Sequence, residues 1–352
     1  MKDKKIIVTG YFGYTTNQLD GQTIKTRNVY ELIKEKEKEY SLEVDYFDTQ
    51  TFQTDKRNVM RMFRKIVKTD ILIYIAAHNN LKYFFPIHYL LSKLKRIDIH
   101  YIVVGGWLAD FISTKPLHIS MLRKIKGIYP QTELLTTQLQ ERYQFQNVYQ
   151  LNNFRMGTSS LGKNRIPAQR DHFKLVFMAR VHPLKGMDVL FRLADHLRKT
   201  GRNNVFIDIY GPVFGEYQIE FEEKLEQHRN VKYKGVLQPE EITEKLHAYD
   251  FMLFPTQYYT EGFPGSILDA YIAGIPVIAT RWKYAEEFIE DNVNGIITDF
   301  DDPVQFIEKT LFLIDHPQEL IRLKGGVRDI ADKYSPEEAW RILRSRILSL
   351  TN

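Results

Sequence analysis

The sequence contains no cysteine, and this absence narrows the chemistry available to the chain. Disulfides, thiolate metal ligands and cysteine nucleophiles are all excluded, which fits a reducing compartment. The first residues form a charged tip before a short apolar strand, which is too short for the core of a signal peptide. No apolar run approaches the roughly 20 residues of a membrane-spanning helix. Together these absences predict a protein that is made and kept in the cytoplasm.

Two common nucleotide-binding patterns are missing as well. The first predicted strand, residues 5–9, leads into a glycine-containing loop from Gly10 to Thr23 and then into a helix. Strand, loop and helix in this order form the first unit of a doubly wound domain. The loop has neither the glycine pattern of dinucleotide sites nor the lysine pattern of phosphate loops. Neither a nicotinamide nor an ATP site is therefore predicted, and we expect no cofactor.

The chain has 352 residues, of which 43% are apolar and 26% are charged, as in a soluble protein of two domains. Predicted strands and helices alternate in both halves, with a polar stretch between them. The predicted class is α/β, with two Rossmann-like doubly wound domains. We place the first domain at residues 1–155, a linker at 156–171, the second domain at 172–335 and a final helix at 336–352.

The formal charge of +5 is modest, but basic residues cluster in the first half. The clusters are Arg57, Arg61, Arg64, Lys65 and Lys68, then Lys93, Lys95 and Arg96, then Arg123, Lys124 and Lys126. Such clusters are either solvated helix faces or a surface that rests on an anionic membrane, and both interpretations stay open here. No recognition helix or RNA-binding signature accompanies the charge, so nucleic acid is not predicted as a partner.

The most informative stretch of the second half runs from Glu261 through a loop rich in glycine and proline into a short predicted helix. The N–H groups at the start of a helix have no partners within it and can hold an anion or a set of hydroxyls. Glu261 stands at this start, and Asp269 lies about two helical turns further along. The alternative is an ordinary α/β unit with a solvent-facing Glu.

Four motifs of the second half follow one another at predicted strand ends. They are Ala179-Arg180-Val-His-Pro-Leu-Lys185-Gly186, Tyr210-Gly211-Pro212, Tyr233-Lys-Gly235-Val236, and Glu261-Gly-Phe-Pro with Asp269 and Gly274-Ile-Pro276. In this combination the sequence resembles the donor domain of retaining GT-B glycosyltransferases of family 4, of the kind that assembles bacterial surface polysaccharides. The resemblance covers about residues 172–300, and the first half resembles the family in architecture only.

This resemblance implies that the two domains face each other across a cleft that holds a nucleotide sugar donor, and that the final helix crosses back to the first domain. It implies transfer of a hexose, with retention and without a metal, to a hydroxyl of a glycan or a polyprenyl-linked glycan acceptor. If the basic clusters of the first half rest on a membrane, the expected location is the inner face of the plasma membrane. Two alternatives remain, a nucleotide-sugar epimerase of the same fold and a catalytically silent partner in glycan assembly.

The resemblance also implies roles for individual residues. Arg180 and Lys185 would hold the donor diphosphate and neutralise the charge of the leaving group. Glu261 would accept hydrogen bonds from the donor sugar, and Asp269 would bind the ribose. The family usually has Glu at that second acidic position, so the shorter Asp implies a longer or water-mediated contact. The other implied donor-binding residues are Gly211, Gly235, Val236, Phe263, Pro264, Gly265 and Ser266.

Two further expectations concern the first domain. Gly21 would close the floor of the cleft near the diphosphate. Family members often carry a His after the strand that here ends at Val104, and that His is missing. His78, which follows the preceding predicted strand, is the remaining candidate for a catalytic imidazole, and a structural role is its alternative.

An Asp-x-Asp pair, Asp299 and Asp301, follows the last predicted strand of the second domain. In the other large glycosyltransferase fold such a pair can hold a divalent metal. Here it precedes Asp302, Pro303 and Gln305, which have the spacing of a helix start. We therefore predict a helix cap at this point and no metal site.

Overall fold

The computed structural model describes residues 3–156 and 172–348. The chain forms two compact units, one made of residues 1–157 with 334–352 and the other of residues 158–333. The predicted linker lies outside the described residues from residue 157 onward. Each unit is built around its own parallel β-sheet with helices on both faces.

The first unit begins as a regular alternation of strands and helices. Its strands are β1 (Lys4–Gly10), β2 (Leu42–Asp48), β3 (Ile71–Ala76), β4 (Asp98–Val103) and β5 (Gly127–Tyr129). Its helices are α1 (Gly21–Glu35), α2 (Asn58–Ile66), α3 (His78–Tyr83), α4 (Phe85–Lys95), α5 (Leu108–Ile112), α6 (Pro116–Leu122) and α7 (Glu133–Glu141), with a short 3-10 helix at Thr49–Gln53.

The first sheet has the strand order β2-β1-β3-β4-β5, and all its strands are parallel. In register, Ile73 of β3 lies between Val8 and His100 of the two neighbouring strands. Every residue of β3 is buried because helices cover both faces of the sheet. The chain changes direction across the sheet between β1 and β3, so their carboxyl ends form the switch point where doubly wound domains bind ligands.

The second unit repeats this alternation. Its strands are β6 (Phe173–Met178), β7 (Val205–Tyr210), β8 (Val231–Tyr233), β9 (Phe251–Phe254), β10 (Val277–Thr280) and β11 (Gly295–Thr298). Its helices are α8 (Met187–Lys199), α9 (Gln218–Gln227), α10 (Pro239–Leu246), α11 (Gly265–Ile272), α12 (Ala285–Phe288), α13 (Pro303–Asp315) and α14 (Pro317–Ile330), with 3-10 helices at Pro183–Lys185, Gly215–Tyr217 and Ala331–Tyr334.

The second sheet is also parallel, with the order β11-β10-β9-β6-β7-β8. Val176 of β6 lies in register between Asp208 of β7 and Met252 of β9. From β6, the strands β7 and β8 extend the sheet to one side, and β9 then pairs with the other side of β6. The switch point of this sheet therefore lies between the carboxyl ends of β6 and β9.

The last helix, α15 (Pro336–Ile347), packs on the first unit. Its Trp340 ring lies 5.2 Å from that of Tyr40, and its side chains join α1 in covering one face of the first sheet. Helices α2 to α7 cover the opposite face. Among the described residues, no helix has the length and apolar character needed to cross a membrane.

From its apolar pattern the first half predicts one helix at about residues 82–95 and a weak strand at residues 148–151. Both elements differ in the structure, and proline is the reason in both cases. The single helix predicted at about residues 82–95 is two helices, α3 and α4, because Pro86 has no N–H for the helical ladder. The strand predicted at residues 148–151 is wrong, since only an isolated bridge joins Val148 to Ile128. Pro130 follows β5 directly and cannot donate to a continued ladder.

Candidate functional site

The candidate donor site lies at the switch point of the second sheet. The loop after β6 carries Arg180 and Lys185, and the loop after β9 carries Glu261. Lys185 and Glu261 are 76 positions apart in the chain, and they are brought together there because β6 and β9 are adjacent in the sheet. The strand order thus gathers two cations and one carboxylate at the edge where this fold binds its ligands.

Gly186 holds the two loops against each other. Its φ is 82°, and a Cβ at this position would stand only 1.9 Å from the carbonyl oxygen of Pro255, just after β9. Only glycine allows the two backbones to approach so closely. The backbone N–H of Gln257 also donates to the carbonyl of Leu184 at 2.9 Å. The position of Lys185 relative to the β9 loop is therefore set by backbone contacts.

The ammonium of Lys185 forms an ion pair and hydrogen bond with the carboxylate of Glu261. Both side chains are largely shielded, with exposed fractions of 21% and 18%. The ammonium also lies 5.7 Å from the ring centre of Tyr258. In this low-dielectric setting the two charges stabilise each other more than a surface pair would. A ligand that carries phosphates and hydroxyls could satisfy both groups separately.

Arg180 lies between two backbone bonds that tie the end of β6 to the end of β7. The N–H of Ala179 donates to the carbonyl of Tyr210 at 3.1 Å, and that of Val181 donates to the carbonyl of Pro212 at 2.9 Å. Gly211 permits this contact, since a Cβ there would stand 1.9 Å from the carbonyl oxygen of Ala179. The guanidinium is exposed at the carboxyl edge of the sheet.

The end of β8 is joined to the same edge. The N–H of Gly211 donates to the carbonyl of Gly235 at 2.9 Å, and the hydroxyl of Tyr233 donates to the carbonyl of Gly211 at 2.9 Å. Val236 follows with an exposed side chain. The two glycines among these implied donor-binding residues, Gly211 and Gly235, therefore lie side by side.

Helix α11 begins at Gly265 without a side-chain cap, because Pro264 occupies the N-cap position. The ring of Phe263 stacks on Phe288 with ring centres 4.0 Å apart, so this residue can offer only backbone groups to a ligand. Ser266 is partly exposed in the first turn. Asp269 is buried at 5% exposure, so little of its side chain is accessible to a ribose.

The two predicted residues of the first unit lie at the carboxyl edge of their own sheet. Gly21 begins α1 next to the carboxylate of Asp20, which accepts from the N–H groups of Gln22 and Thr23. An anion at this helix start would have to compete with the Asp20 carboxylate for the same N–H groups. His78 begins α3 and is exposed. Its ring packs edge to face with the ring of Phe111, with the two ring centres 4.4 Å apart.

Sequence reasoning gave no role to two side chains that shape the candidate donor site. The Nδ1 atom of His182 accepts from the N–H of Leu184 at 3.0 Å and so fixes the turn that presents Lys185. Tyr258 lies under the same ammonium. Their positions in the sequence could have indicated this role, because His182 lies in the loop after β6 and Tyr258 lies in the loop after β9.

A buried lysine in the first unit was also missed. Lys25 lies on α1, and its Nζ donates to the carbonyl oxygen of Val103 at the end of β4 at 3.2 Å. Burial lowers the pKa of this ammonium to about 7. On the sequence it is one of several polar residues in an amphipathic helix, and nothing marks it as buried.

Asp302 caps α13, as predicted, by accepting from the N–H groups of Val304 and Gln305. The side chain of Gln305 reaches back to the N–H of Asp299 at 2.6 Å, so the first Asp of the pair also belongs to this helix start. Within residues 3–156 and 172–348, no three His, Asp or Glu side chains form a group suited to a metal ion.

Comparisons with known proteins point to one family for the second unit. The family model for Glycosyl transferases group 1 matches residues 172–316, which span β6 to β11. D-inositol 3-phosphate glycosyltransferase 1 of Catenulispora acidiphila is 26% identical over 195 residues, which are 53% of this chain and 46% of that protein. An uncharacterized 41.2 kDa protein in the cps region of Klebsiella pneumoniae is 28% identical over 148 residues, 41% of this chain and 38% of that protein. The matched part thus spans less than half the length of these relatives.

Solved structures resemble the whole chain. HepE of Anabaena, solved in complex with UDP-glucose, has a TM-score of 0.74 at 15% identity and covers 98% of this chain and 100% of its own. Sucrose-phosphate synthase of Thermosynechococcus elongatus has a TM-score of 0.73 at 11% identity, with 99% of each chain covered. These likenesses confirm the predicted fold. Residues 172–316 match the family model for Glycosyl transferases group 1, and the chain has the fold of the GT-B glycosyltransferases.

Proposed function

We propose that the protein is a retaining glycosyltransferase that moves a hexose from a nucleoside diphosphate sugar to a hydroxyl group. The observation that carries this proposal is the position of Arg180, Lys185 and Glu261 at the switch point of the second sheet. Two cations beside one carboxylate suit a ligand that has phosphates at one end and sugar hydroxyls at the other. The group 1 match of the same residues supports it.

In this proposal the donor replaces the ion pair within the site. Its diphosphate takes the ammonium of Lys185 and the guanidinium of Arg180, and its sugar hydroxyls donate to the carboxylate of Glu261. The backbone around Gly211, Gly235 and Val236 lines the base, and Asp269 contacts the ribose. Cationic side chains supply the charge neutralisation, so the reaction proceeds without a metal.

The chemical step follows from where charge develops. The bond between the anomeric carbon and the diphosphate oxygen breaks, and the negative charge on the departing diphosphate is stabilised by Arg180 and Lys185. The acceptor hydroxyl attacks the oxocarbenium-like carbon from the face that the diphosphate leaves, and its proton passes to a diphosphate oxygen. The configuration at that carbon is thereby retained. Catalysis in this scheme is electrostatic, and no enzyme nucleophile is required.

For the substrates, we propose a UDP-sugar as donor and a glycan or lipid-linked glycan as acceptor. HepE was solved with UDP-glucose, and a relative at 28% identity lies in a cps region, which favours polysaccharide assembly as the setting. His78 is proposed as the group that faces the acceptor from the first unit, since it is exposed at the carboxyl edge of that sheet.

The proposal is tested with a panel of UDP-, GDP- and ADP-sugars, measured by thermal shift and by nucleotide release. A specific donor should raise the melting temperature, and a donor that binds more tightly should raise it more. Product analysis should show the sugar on an added acceptor with unchanged anomeric configuration, in the presence of EDTA. Binding of no donor in the panel would contradict a transferase. An altered sugar nucleotide formed from donor alone would identify an epimerase instead.

A further inference from the structure

Two tyrosines stand exposed in the loop after β9, directly before Glu261. Tyr258 is 46% exposed and Tyr259 is 54% exposed. The aromatic residues on either side of them in the sequence, Phe254 and Phe263, are both buried. Packing of the core explains the two buried rings, but it does not explain two adjacent exposed rings at the edge of the sheet where this fold binds its ligands.

The backbone that carries these rings is fixed by hydrogen bonds. The N–H of Tyr258 donates to the hydroxyl of the buried Thr256 at 3.2 Å, and the N–H of Lys283 donates to the carbonyl of Tyr259 at 2.9 Å. The N–H of Glu261 donates to the carbonyl of Tyr258 at 3.2 Å, which closes a turn of four residues. The ring of Tyr258 and the carboxylate of Glu261 are therefore presented by the two ends of one turn.

The two exposed rings differ in what they contact. The ring of Tyr259 packs edge to face with the ring of Phe300, with centres 5.2 Å apart, so the fold already uses part of its surface. The ammonium of Lys185 lies over the ring of Tyr258, 5.7 Å from its centre. Tyr258 thus lies next to both members of the ion pair, with the cation over its ring and the carboxylate of Glu261 on its own turn.

In the proposed donor complex, the hexose links the two groups that Tyr258 adjoins. The diphosphate on one side of the hexose is assigned to Lys185, and the hydroxyls on its other side are assigned to Glu261. A hexose has hydroxyls around its rim and a less polar face of C–H groups, and a tyrosine offers a matching apolar face with a polar tip. When the ammonium of Lys185 turns to the diphosphate, the ring of Tyr258 becomes accessible to that sugar face.

We propose that the hexose ring of the donor packs on Tyr258, and that this contact makes the site prefer a nucleoside diphosphate sugar over the bare nucleoside diphosphate. The inference rests on the proposed function and deepens it. The product nucleotide has no hexose, so it loses the contact with Tyr258 and leaves Glu261 to pair with Lys185 again. Tyr258 therefore adds affinity to the substrate and none to the product, which favours release of the product after transfer.

Calorimetric titration with UDP-glucose, UDP-N-acetylglucosamine and UDP tests this proposal. The sugar nucleotide that binds more tightly is compared with UDP, and the ratio of the two affinities is the measured quantity. Tyr258→Leu keeps an apolar side chain but removes the flat face, so it should lower this ratio by about three- to tenfold. Tyr258→Phe keeps the face and should keep the ratio within about twofold of the wild-type value. Tyr259→Leu is the matched control at the neighbouring exposed tyrosine and should leave the ratio unchanged.

Three results tell the failures apart. If Tyr258 only shields the ion pair from water, Tyr258→Leu will change both affinities by the same factor, which would overturn this proposal and leave the transferase assignment intact. An equal loss of the ratio in Tyr259→Leu would also overturn it, because the effect would then belong to the loop as a whole. If the wild type binds neither UDP nor a UDP-sugar, the proposed donor is wrong and the role of Tyr258 fails with it. Melting temperatures of the three variants should match that of the wild type, since both side chains are exposed.

Discussion

The ammonium of Lys185 is paired with the carboxylate of Glu261, 76 residues further along the chain. Each group neutralises the other, so any ligand that takes one of them must release the partner or engage it as well. A diphosphate alone satisfies only Lys185 and leaves Glu261 shielded and unpaired. A diphosphate that carries a sugar satisfies both, which would couple recognition of the two ends of the donor.

Glu261→Gln should separate these two ends. We expect transfer to fall by about two to three orders of magnitude, the usual cost of removing one preorganised charge-stabilising group. Affinity for the nucleoside diphosphate without sugar should rise, because Lys185 no longer has to leave an ion pair. Steady-state kinetics and calorimetry measure the two effects. Glu226→Gln, at an exposed position on α9, is the control. Full transfer activity in Glu261→Gln would contradict its role.

Lys185→Met should weaken binding of the nucleoside diphosphate by about tenfold or more, since a charge-assisted hydrogen bond is lost. In the double variant with Glu261→Gln, the gain in affinity expected for Glu261→Gln alone should disappear, because that gain depends on the freed ammonium of Lys185. A double-mutant cycle on calorimetric affinities measures this. Strict additivity would show that the pair does not act as a unit.

Gly186→Ala should destabilise the second unit strongly. Its Cβ would stand 1.9 Å from the carbonyl oxygen of Pro255, so the loops after β6 and β9 must separate. Gly201→Ala is a matched control, because Gly201 also has a positive φ, 72°, but no atom lies within 4 Å of the added Cβ. The control should lose about 1 kcal/mol from backbone strain, and Gly186→Ala about 3 kcal/mol or more. Urea unfolding measures both, and equal losses would argue against the close approach.

His88→Phe should increase stability, most of all in acid. Burial lowers the pKa of His88 from 6.5 to about 3, and neither of its ring nitrogens has a hydrogen-bond partner among the described residues. The unfolded chain therefore takes up this proton first, and the folded state loses stability as pH falls from about 6.5 towards 3. The gain in melting temperature for His88→Phe should grow over that range. His196→Phe, at an exposed position on α8, should show no such trend.

Lys25→Met should stabilise the first unit at neutral pH. The pKa of Lys25 is lowered to about 7 in the folded chain, below its value in the unfolded chain. Between about pH 7 and pH 10 the unfolded chain therefore holds a proton on this side chain that the folded chain has lost. The stabilisation should amount to a few kcal/mol at pH 7 and should fade towards pH 10. Lys199→Met, at an exposed position, should change little at either pH. Denaturant unfolding at several pH values measures the difference.

The α/β class and nearly every strand could be predicted from the sequence. Strands buried on both faces, such as Ile71–Ala76, are continuous apolar runs and are easily recognised. The errors came at Pro86 and Pro130, where a missing N–H divides or ends an element inside an otherwise regular pattern.

The site was predicted less completely, for a physical reason. Motifs locate residues along the chain, but the contact between Lys185 and Glu261 depends on strand order, which no local pattern carries. The burial of Lys25 likewise depends on which face of α1 meets the sheet. The role of Asp20 as a helix cap could have been predicted from its position before Gly21 and Thr23.

The packing of α15 on the first unit has a consequence for synthesis. Trp340 and Leu343 complete a core that begins with Ile6 and Val8, so the first unit cannot be finished until α15 is made. At about 5–20 residues per second, roughly tens of seconds pass between synthesis of β1 and of α15. All residues of the second unit leave the ribosome before the first unit has its last helix. The amino-terminal domain is therefore the later one to be completed, and throughout that interval the nascent chain carries an apolar sheet face that α1 covers only in part.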